Sequence, residues 1–194
     1  TNFFTDIYVR KLDTNPPDTV WISHRPSPGA PQPNASSTQA FISGYWVFVA
    51  FSSTASNLVA VDANGALRDV FRFAIDAAED ADLVSVDNQG EQSMVASFFT
   101  DTGRSISRDG SLVVFRGTPC DWDAGPTDCA DGQVNCLCPD QDNDCSASSG
   151  CSGVNQVYLR HVVGLTTERV SRVGLGANGF RAGNGRSQLA SISR

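Results

Sequence analysis

The octapeptide DVFRFAID at Asp69–Asp76 is the most informative stretch of the chain, because related segments precede and follow it. It corresponds to DIYVRKLD at Asp6–Asp13 and to QVYLRHVV at Gln156–Val163. The pentapeptide VAFSS at Val49–Ser53 likewise returns as VVFRG at Val113–Gly117. Recurrence of several segments in the same order indicates that one structural unit is used more than once.

The interval between copies is longer the second time because one loop is longer. Residues 54–68 separate VAFSS from DVFRFAID, whereas the longer segment 118–155 separates VVFRG from QVYLRHVV. The 23 additional residues of this segment account for the difference between the 64 residues from VAFSS to VVFRG and the 87 residues from DVFRFAID to QVYLRHVV. The segment 118–155 is therefore expected to be an enlarged loop and not a separate domain.

Each repeat contains four short apolar segments that are bounded by turn-forming residues. Alternation is visible at Val47, Val49 and Phe51, which is the period of a β-strand. The acidic residues agree with a fold poor in helices, because 18 are Asp and only 3 are Glu. Four antiparallel strands per repeat predict an all-β fold built from β-propeller blades. A β-sandwich is the alternative, but it gives no reason for the repetition.

Several segments resemble the repeats of TolB-like and WD-like bacterial β-propeller proteins. They are SISRDGSLVVF at Ser105–Phe115, FSSTASNLV at Phe51–Val59 and DIYVR at Asp6–Arg10. The resemblance covers nearly the whole chain apart from the insert 118–155. One departure is Gly44–Trp46, where the family has Asp-Gly, and we expect that corner to be rebuilt.

The repeats divide the chain into blades. Residues 1–30 are expected to supply the last two strands of one blade, 31–92 a complete blade, 93–180 a second one that contains the insert, and 181–194 the start of another. Propellers usually close with about four to eight blades. About three blades' worth of sequence is therefore expected to be a fragment of a larger propeller.

The insert contains every cysteine of the chain. The six are Cys120, Cys129, Cys136, Cys138, Cys145 and Cys151. An even number of cysteines in one short stretch predicts a local set of disulfides, which persist in oxidising compartments. A zinc site is the alternative, but no Cys-x-x-Cys pair is present, and His24 and His161 both lie outside the insert. The chain is therefore expected to be secreted, at the cell surface or periplasmic.

The insert also contains seven aspartates, of which Asp140, Asp142 and Asp144 alternate along the chain. Oxygen ligands at alternate residues are typical of the first part of a calcium-binding loop. The pattern is similar to that of thrombospondin type-3 repeats, in which Ca²⁺ and disulfides order a loop together. The alternative is an acidic turn exposed to solvent.

A second candidate for Ca²⁺ lies in the equivalent loop of the preceding repeat, VDANGALRD. Asp62, Asn64 and Asp69 would supply the oxygen ligands, and Gly65 would allow the sharp turn between them. An Asx-turn that leads into a strand is the simpler interpretation of the same residues.

Motifs of catalysis and of nucleotide binding do not favour an enzyme. The sequence contains neither Gly-x-Ser-x-Gly nor His-Glu-x-x-His. The Gly-x-Gly-x-x-Gly pattern at Gly174–Gly179 is not followed by a helix-forming segment, as a dinucleotide site requires. The net charge of −7 argues against nucleic acid as a partner, and no apolar run is long enough for a membrane span.

These features predict an extracytoplasmic binding or structural module that interacts with a protein partner and that Ca²⁺ stabilises. One alternative is the non-catalytic propeller of a larger secreted or periplasmic hydrolase similar to prolyl oligopeptidases. Another alternative is a subunit of an extracellular fibre or larger complex. A Gly-x-Ser-x-Gly segment with Asp and His further along the protein would favour the hydrolase.

Overall fold

A computed structural model describes residues 2–76, 79–90, 92, 96–99, 104–117, 156–170, 172–174, 180–182 and 192. Within these residues, all regular secondary structure is β-strand, and the prediction of an all-β fold is confirmed. The same residues contain no helix that is long and apolar enough to cross a membrane.

The strands form small antiparallel sheets that follow one another along the chain. The first sheet is a hairpin of β1 (Tyr8–Lys11) and β2 (Asp18–Trp21). The second contains β3 (Ser37–Ile42), β4 (Phe48–Ser53), β5 (Asp69–Ala74) and β6 (Asp82–Leu83) in this order. The third contains β7 (Leu112–Gly117), β8 (Gln156–His161) and β9 (Thr166–Arg169). A last hairpin joins β10 (Arg172–Gly174) to β11 (Phe180–Ala182).

The four-stranded sheet buries both of its faces, because alternate residues of a strand point to opposite sides. On one side, Val49, Phe51 and Phe71 form a core with Ile7 and Val20 of the first hairpin. The other side carries a second core, which it shares with β7 and β8; the members include Ala50, Val70, Val84, Val113, Phe115 and Tyr158. The first three sheets therefore stack face to face in chain order.

The repeat of sequence is accompanied by a repeat of hydrogen bonds. In each of the three aligned segments, the backbone carbonyl of the second residue accepts a hydrogen bond from a backbone N–H further along the chain. The three bonds are Ile22 N to Ile7 O at 2.9 Å, Val84 N to Val70 O at 2.8 Å and Val170 N to Val157 O at 2.8 Å. Because all three bonds join equivalent positions, the aligned segments have the same role in their sheets. The boundaries at 30, 92 and 180 stay predictions.

A serine supports the start of the aligned strand in the first two repeats. Its hydroxyl accepts a hydrogen bond from the strand's backbone and donates one to an aspartate at the strand's start. The two sets are Ile7 N to Ser23 Oγ at 3.0 Å with Ser23 Oγ to Asp6 at 2.8 Å, and Val70 N to Ser85 Oγ at 3.0 Å with Ser85 Oγ to Asp69 at 2.6 Å.

The corner before β4 has the same backbone conformation as the corner before β7. Ser43 N donates to Phe48 O, and Ser107 N donates to Leu112 O, in both cases at 2.9 Å. Each serine hydroxyl also accepts from the backbone N–H of the same strand residue, at 3.1 and 3.0 Å. The expectation that the corner at Gly44–Trp46 is rebuilt was therefore wrong, because the serine bonds fix its geometry.

The residue third after each serine lies in the left-handed region. It is Gly110 in one corner, with φ of 76°, and Trp46 in the other, with φ of 57°. Glycine adopts this region without a steric penalty, whereas an L side chain brings its Cβ close to the following carbonyl. The backbone of Trp46 is therefore strained, because a residue with a side chain occupies a conformation that suits glycine.

We expect Gly110→Ala to be more destabilising than Gly65→Ala, which is the matched control. Both glycines have positive φ, so each alanine costs about 1–2 kcal/mol for the left-handed conformation. At Gly110 a Cβ would also overlap the Phe48 ring, whose Cγ would lie 2.8 Å away, whereas the space around Gly65 is open. Overlap of this kind adds about 1–3 kcal/mol. Urea denaturation compares the two losses, and equal losses would contradict the described packing of the corner.

Candidate functional site

The residues predicted to form the insert's site lie outside the described residues. They are Asp140, Asp142 and Asp144, together with Cys120, Cys129, Cys136, Cys138, Cys145 and Cys151. The disulfides and the Ca²⁺ site of the insert therefore stay predictions.

The structure brings the second predicted set together at the start of β5. Asp62 Oδ1 accepts hydrogen bonds from Gly65 N at 3.0 Å and from Gln92 Nε2 at 3.2 Å. Gly65 has φ of 70°, as expected for a sharp turn at this position. The bond from Gly65 N is that of a turn that an aspartate side chain closes on the nearby backbone, the simpler of the two interpretations given above.

Asp69 lies deeper in the same loop, with 1% of its surface exposed. Desolvation by burial raises the pKa of Asp69 to about 6, and the nearby charge of Asp62 acts in the same direction. Hydrogen bonds from Ser85 and Asn64 oppose this rise. Burial therefore decides the protonation of Asp69 more strongly than its hydrogen bonds do.

These donors match Ca²⁺ in type, because carboxylate and amide oxygens are its usual ligands. Two carboxylates are nevertheless few for a site held by protein groups. Among the residues that the structure describes, no group of three or more His, Cys, Asp or Glu side chains is placed to hold a metal ion. Calcium at Asp62, Asn64 and Asp69 stays a prediction.

The histidines have structural surroundings. His24 stacks on Trp21, with ring centroids 4.9 Å apart, and partial burial lowers its pKa. His161 lies 3.1 Å from Glu168 on the neighbouring strand, an exposed pair between β8 and β9. Neither ring shares a hydrogen bond with a described serine hydroxyl, as the base of a catalytic triad would.

Sequence reasoning missed an exposed aromatic pair at the corner before β4. Tyr45 is 57% exposed and Trp46 is 75% exposed, and they lie next to each other on the strained turn. Their neighbours Ile42 and Val47 are also exposed. Because exposed apolar side chains that lie together are a feature of interaction surfaces, this group is a candidate site.

The next repeat supplies two arginines to the same surface. Tyr45 N donates to Arg108 O at 2.9 Å, which joins the two corners through their backbones. The Arg108 guanidinium carbon lies 4.7 Å from the centre of the Tyr45 ring, a cation–π distance. Gly44 makes this approach possible, because a Cβ there would lie 2.6 Å from Arg108 Cγ.

The two corners enclose a cleft of about 270 Å³. Its lining residues are Ile42, Ser43, Gly44, Trp46, Arg104 and Arg108. We call this cleft, together with the Tyr45 ring at its side, the corner cleft. The signal for it in the sequence was the replacement of Asp-Gly by Tyr45-Trp46, which we interpreted only as a change of backbone.

We expect Asp69 to make the protein less stable as the pH rises from about 4 to about 7. Its pKa is higher in the folded chain, about 6 against an ordinary 3.8, so the unfolded chain loses this proton first and unfolding is favoured. The loss is complete above the folded pKa and is on the order of 3 kcal/mol. Asp69→Asn keeps an acceptor for Ser85 but does not titrate.

The measurement is the free energy of unfolding of both proteins against pH, with a chelator present. The stability of the variant relative to the parent should rise through this pH window. A constant difference would contradict the raised pKa. In the presence of Ca²⁺, a smaller effect would support ligation by Asp69, because a cation favours the charged carboxylate.

Comparison with protein-family models, with curated proteins and with solved structures found no match to this chain. The described residues offer a scaffold of stacked sheets and, at its surface, a cleft lined by aromatic and cationic side chains.

Proposed function

We propose that this chain is an extracytoplasmic β-propeller binding module for protein–protein interaction, and that the corner cleft is its recognition surface. The observation that carries the proposal is Trp46, a large and exposed side chain on a backbone conformation that suits glycine. Strain of this kind persists where the surrounding structure fixes it, and it is concentrated at functional sites.

The propeller is supported by the way in which the sheets stack. In a propeller, each four-stranded sheet packs its faces against the sheets before and after it. The aromatic residues Tyr8, Phe71 and Tyr158 are equivalent in the repeat. Phe71 and Tyr158 are fully buried in the cores that their sheets share with the preceding sheet, whereas Tyr8 is 56% exposed. The outer face of β1–β2 is thus where a further sheet would pack.

A pair of polar residues supports the same position. Arg160 is 4% exposed, and its Nη1 donates to Thr167 Oγ1 and to Asp87 O, both at 3.0 Å. Asp87 belongs to the segment after β6, in the preceding sheet's part of the chain. Arg10 and Thr19 form the equivalent pair in the first hairpin, where Arg10 is exposed and donates to Thr19 Oγ1. Arg10 therefore presents to solvent the groups that Arg160 presents to a neighbouring sheet.

The chemistry of the corner cleft is that of a protein interface. Trp, Tyr and Arg are the side chains that dominate binding energy at such interfaces, and all three occur together here. A corner between two packed strands is also a loop held by a rigid scaffold, which is where recognition residues concentrate.

The compartment and the cation belong to the proposal as well. Six cysteines within the single segment Cys120–Cys151 support an oxidising compartment, outside the cytoplasm. The alternating aspartates of the same insert support stabilisation by Ca²⁺.

We expect Trp46→Gly to remove binding without loss of stability. Glycine relieves about 1–2 kcal/mol of left-handed strain and loses about 0.5–1 kcal/mol of backbone entropy, so the free energy of unfolding should be unchanged or slightly higher. The parent and the variant are each immobilised and exposed to a mixture of extracellular proteins. The proteins that only the parent retains are then identified. Such a protein is then purified and its affinity measured by calorimetry. A partner that binds both forms equally would contradict recognition by the corner cleft.

We expect Arg160→Ala to be more destabilising than Arg10→Ala. Loss of the buried guanidinium leaves its acceptors unsatisfied and costs about 1–3 kcal/mol, whereas an exposed substitution changes stability by less than about 0.5 kcal/mol. Urea denaturation of this chain measures both. A structure of the native protein tests whether the sheets close into a ring. Exposure of Tyr8 and Arg10 to solvent in that structure would contradict the propeller.

A further inference from the structure

We infer that the corner cleft binds an acidic segment of the partner protein, with side-chain carboxylates held by Arg104 and Arg108. The inference rests on the proposed function and names the partner's chemistry. It is carried by the charges and contacts that surround the two arginines.

Positive charge is scarce in this protein, which has 14 Lys and Arg against 21 Asp and Glu. Two other described arginines meet carboxylates: Arg25 pairs with Asp80 and Arg72 pairs with Asp82, each at 2.6 Å. At the corner cleft, no described carboxylate lies within ion-pair distance of Arg104 or Arg108. Two cations therefore face one small cleft without a described counter-charge.

Asp109, which follows Arg108 in the chain, stabilises the turn and does not pair with Arg108. Asp109 Oδ1 accepts hydrogen bonds from Ser107 Oγ at 2.7 Å, from Ser111 N at 3.1 Å and from Ser111 Oγ at 2.8 Å. These bonds hold the pKa of Asp109 at about 2. Its carboxylate stabilises the corner, and the guanidinium of Arg108 lies over Tyr45 on the preceding corner.

The Tyr45 ring also prepares Arg108 for binding. A guanidinium that lies over an aromatic ring keeps its N–H groups free at the edges, and these form paired hydrogen bonds with a carboxylate. The contact with Gly44 fixes the first part of the Arg108 side chain, so less freedom is lost on binding. Trp46 and Ile42 supply apolar surface beside the charges.

The size of the corner cleft favours a short segment over a large ligand. About 270 Å³ is close to the lower limit of pockets that enclose small molecules. An exposed acidic loop or tail places one or two side chains there while its backbone stays outside. A nucleic acid is disfavoured, because the net charge of −7 repels a polyanion.

The test uses the peptide acetyl-Gly-Glu-Phe-Glu-Gly-amide and its counterpart with both Glu replaced by Gln. Binding is followed by the indole N–H resonance of Trp46 in the whole chain, identified by its absence in Trp46→Phe. We expect a saturable shift with the Glu peptide and about tenfold weaker binding of the Gln peptide, because a charge-assisted pair is worth more than a neutral one. Added NaCl should weaken only the Glu peptide's binding.

Arg104→Gln and Arg108→Gln should each weaken the Glu peptide's binding about tenfold. Lys11→Gln is the matched control, because it removes one positive charge from the first hairpin and should leave the affinity unchanged. Gln at position 108 keeps the Cγ that packs on Gly44, and urea denaturation checks that each variant is folded as stably as the parent.

The outcomes separate this inference from the proposed function. Equal binding of the two peptides, or no shift with either, would overturn the acidic partner and leave a binding module of another specificity. Inorganic phosphate that displaces the Glu peptide at equal concentration would also overturn it, in favour of a general anion site. A natural partner that binds parent and Trp46→Gly equally would instead overturn the proposed recognition surface.

Discussion

Burial of both faces of the sheet β3–β6 is the constraint on which the other features depend. Phe51 and Phe71 stack on one face with ring centroids 5.6 Å apart, whereas Ala50 and Val70 point to the other face. A slip of one residue in strand pairing would exchange the two sets and place large rings where small side chains now fit. Full burial of each large side chain contributes about 1.5–3 kcal/mol, so register and stacking are determined together.

Polar groups inside this stack follow from the same constraint. A strand that is covered on both faces cannot leave its backbone N–H groups unsatisfied, since the cost is comparable to a lost hydrogen bond. Ser23 and Ser85 accept such bonds where the sheet ladder ends. Asp69 accepts from Ser85 in turn, although burial raises the pKa of its carboxyl group to about 6. The raised pKa is therefore a consequence of how the strand begins.

Much of this fold could be predicted from the sequence, because a two-residue period and a long repeat report directly on strands and on their recurrence. The strands around Val49–Ser53 and Asp69–Asp76 were found in this way. The corner cleft could not be predicted from the sequence, because it forms between two corners that lie far apart in the chain. Tyr45-Trp46 was visible as a departure from Asp-Gly, but only the bonds of Ser43 show that the backbone stays unchanged. The calcium site and the disulfides predicted for the insert depend on the arrangement of 118–155, which no local pattern determines.

The hydrogen bond from Tyr45 N to Arg108 O joins two corners that are equivalent in the repeat but differ in sequence. This difference bears on how many partner molecules the repeats could bind. Identical units would present the same junction many times and would bind several copies of a partner with equal affinity. Here the glycine of one corner is replaced by Trp46 in its equivalent, so the two described corners differ in chemistry while sharing a backbone. The described part of this repetitive scaffold thereby has a corner that differs in chemistry from its equivalent, and the proposed partner would be held there in one orientation.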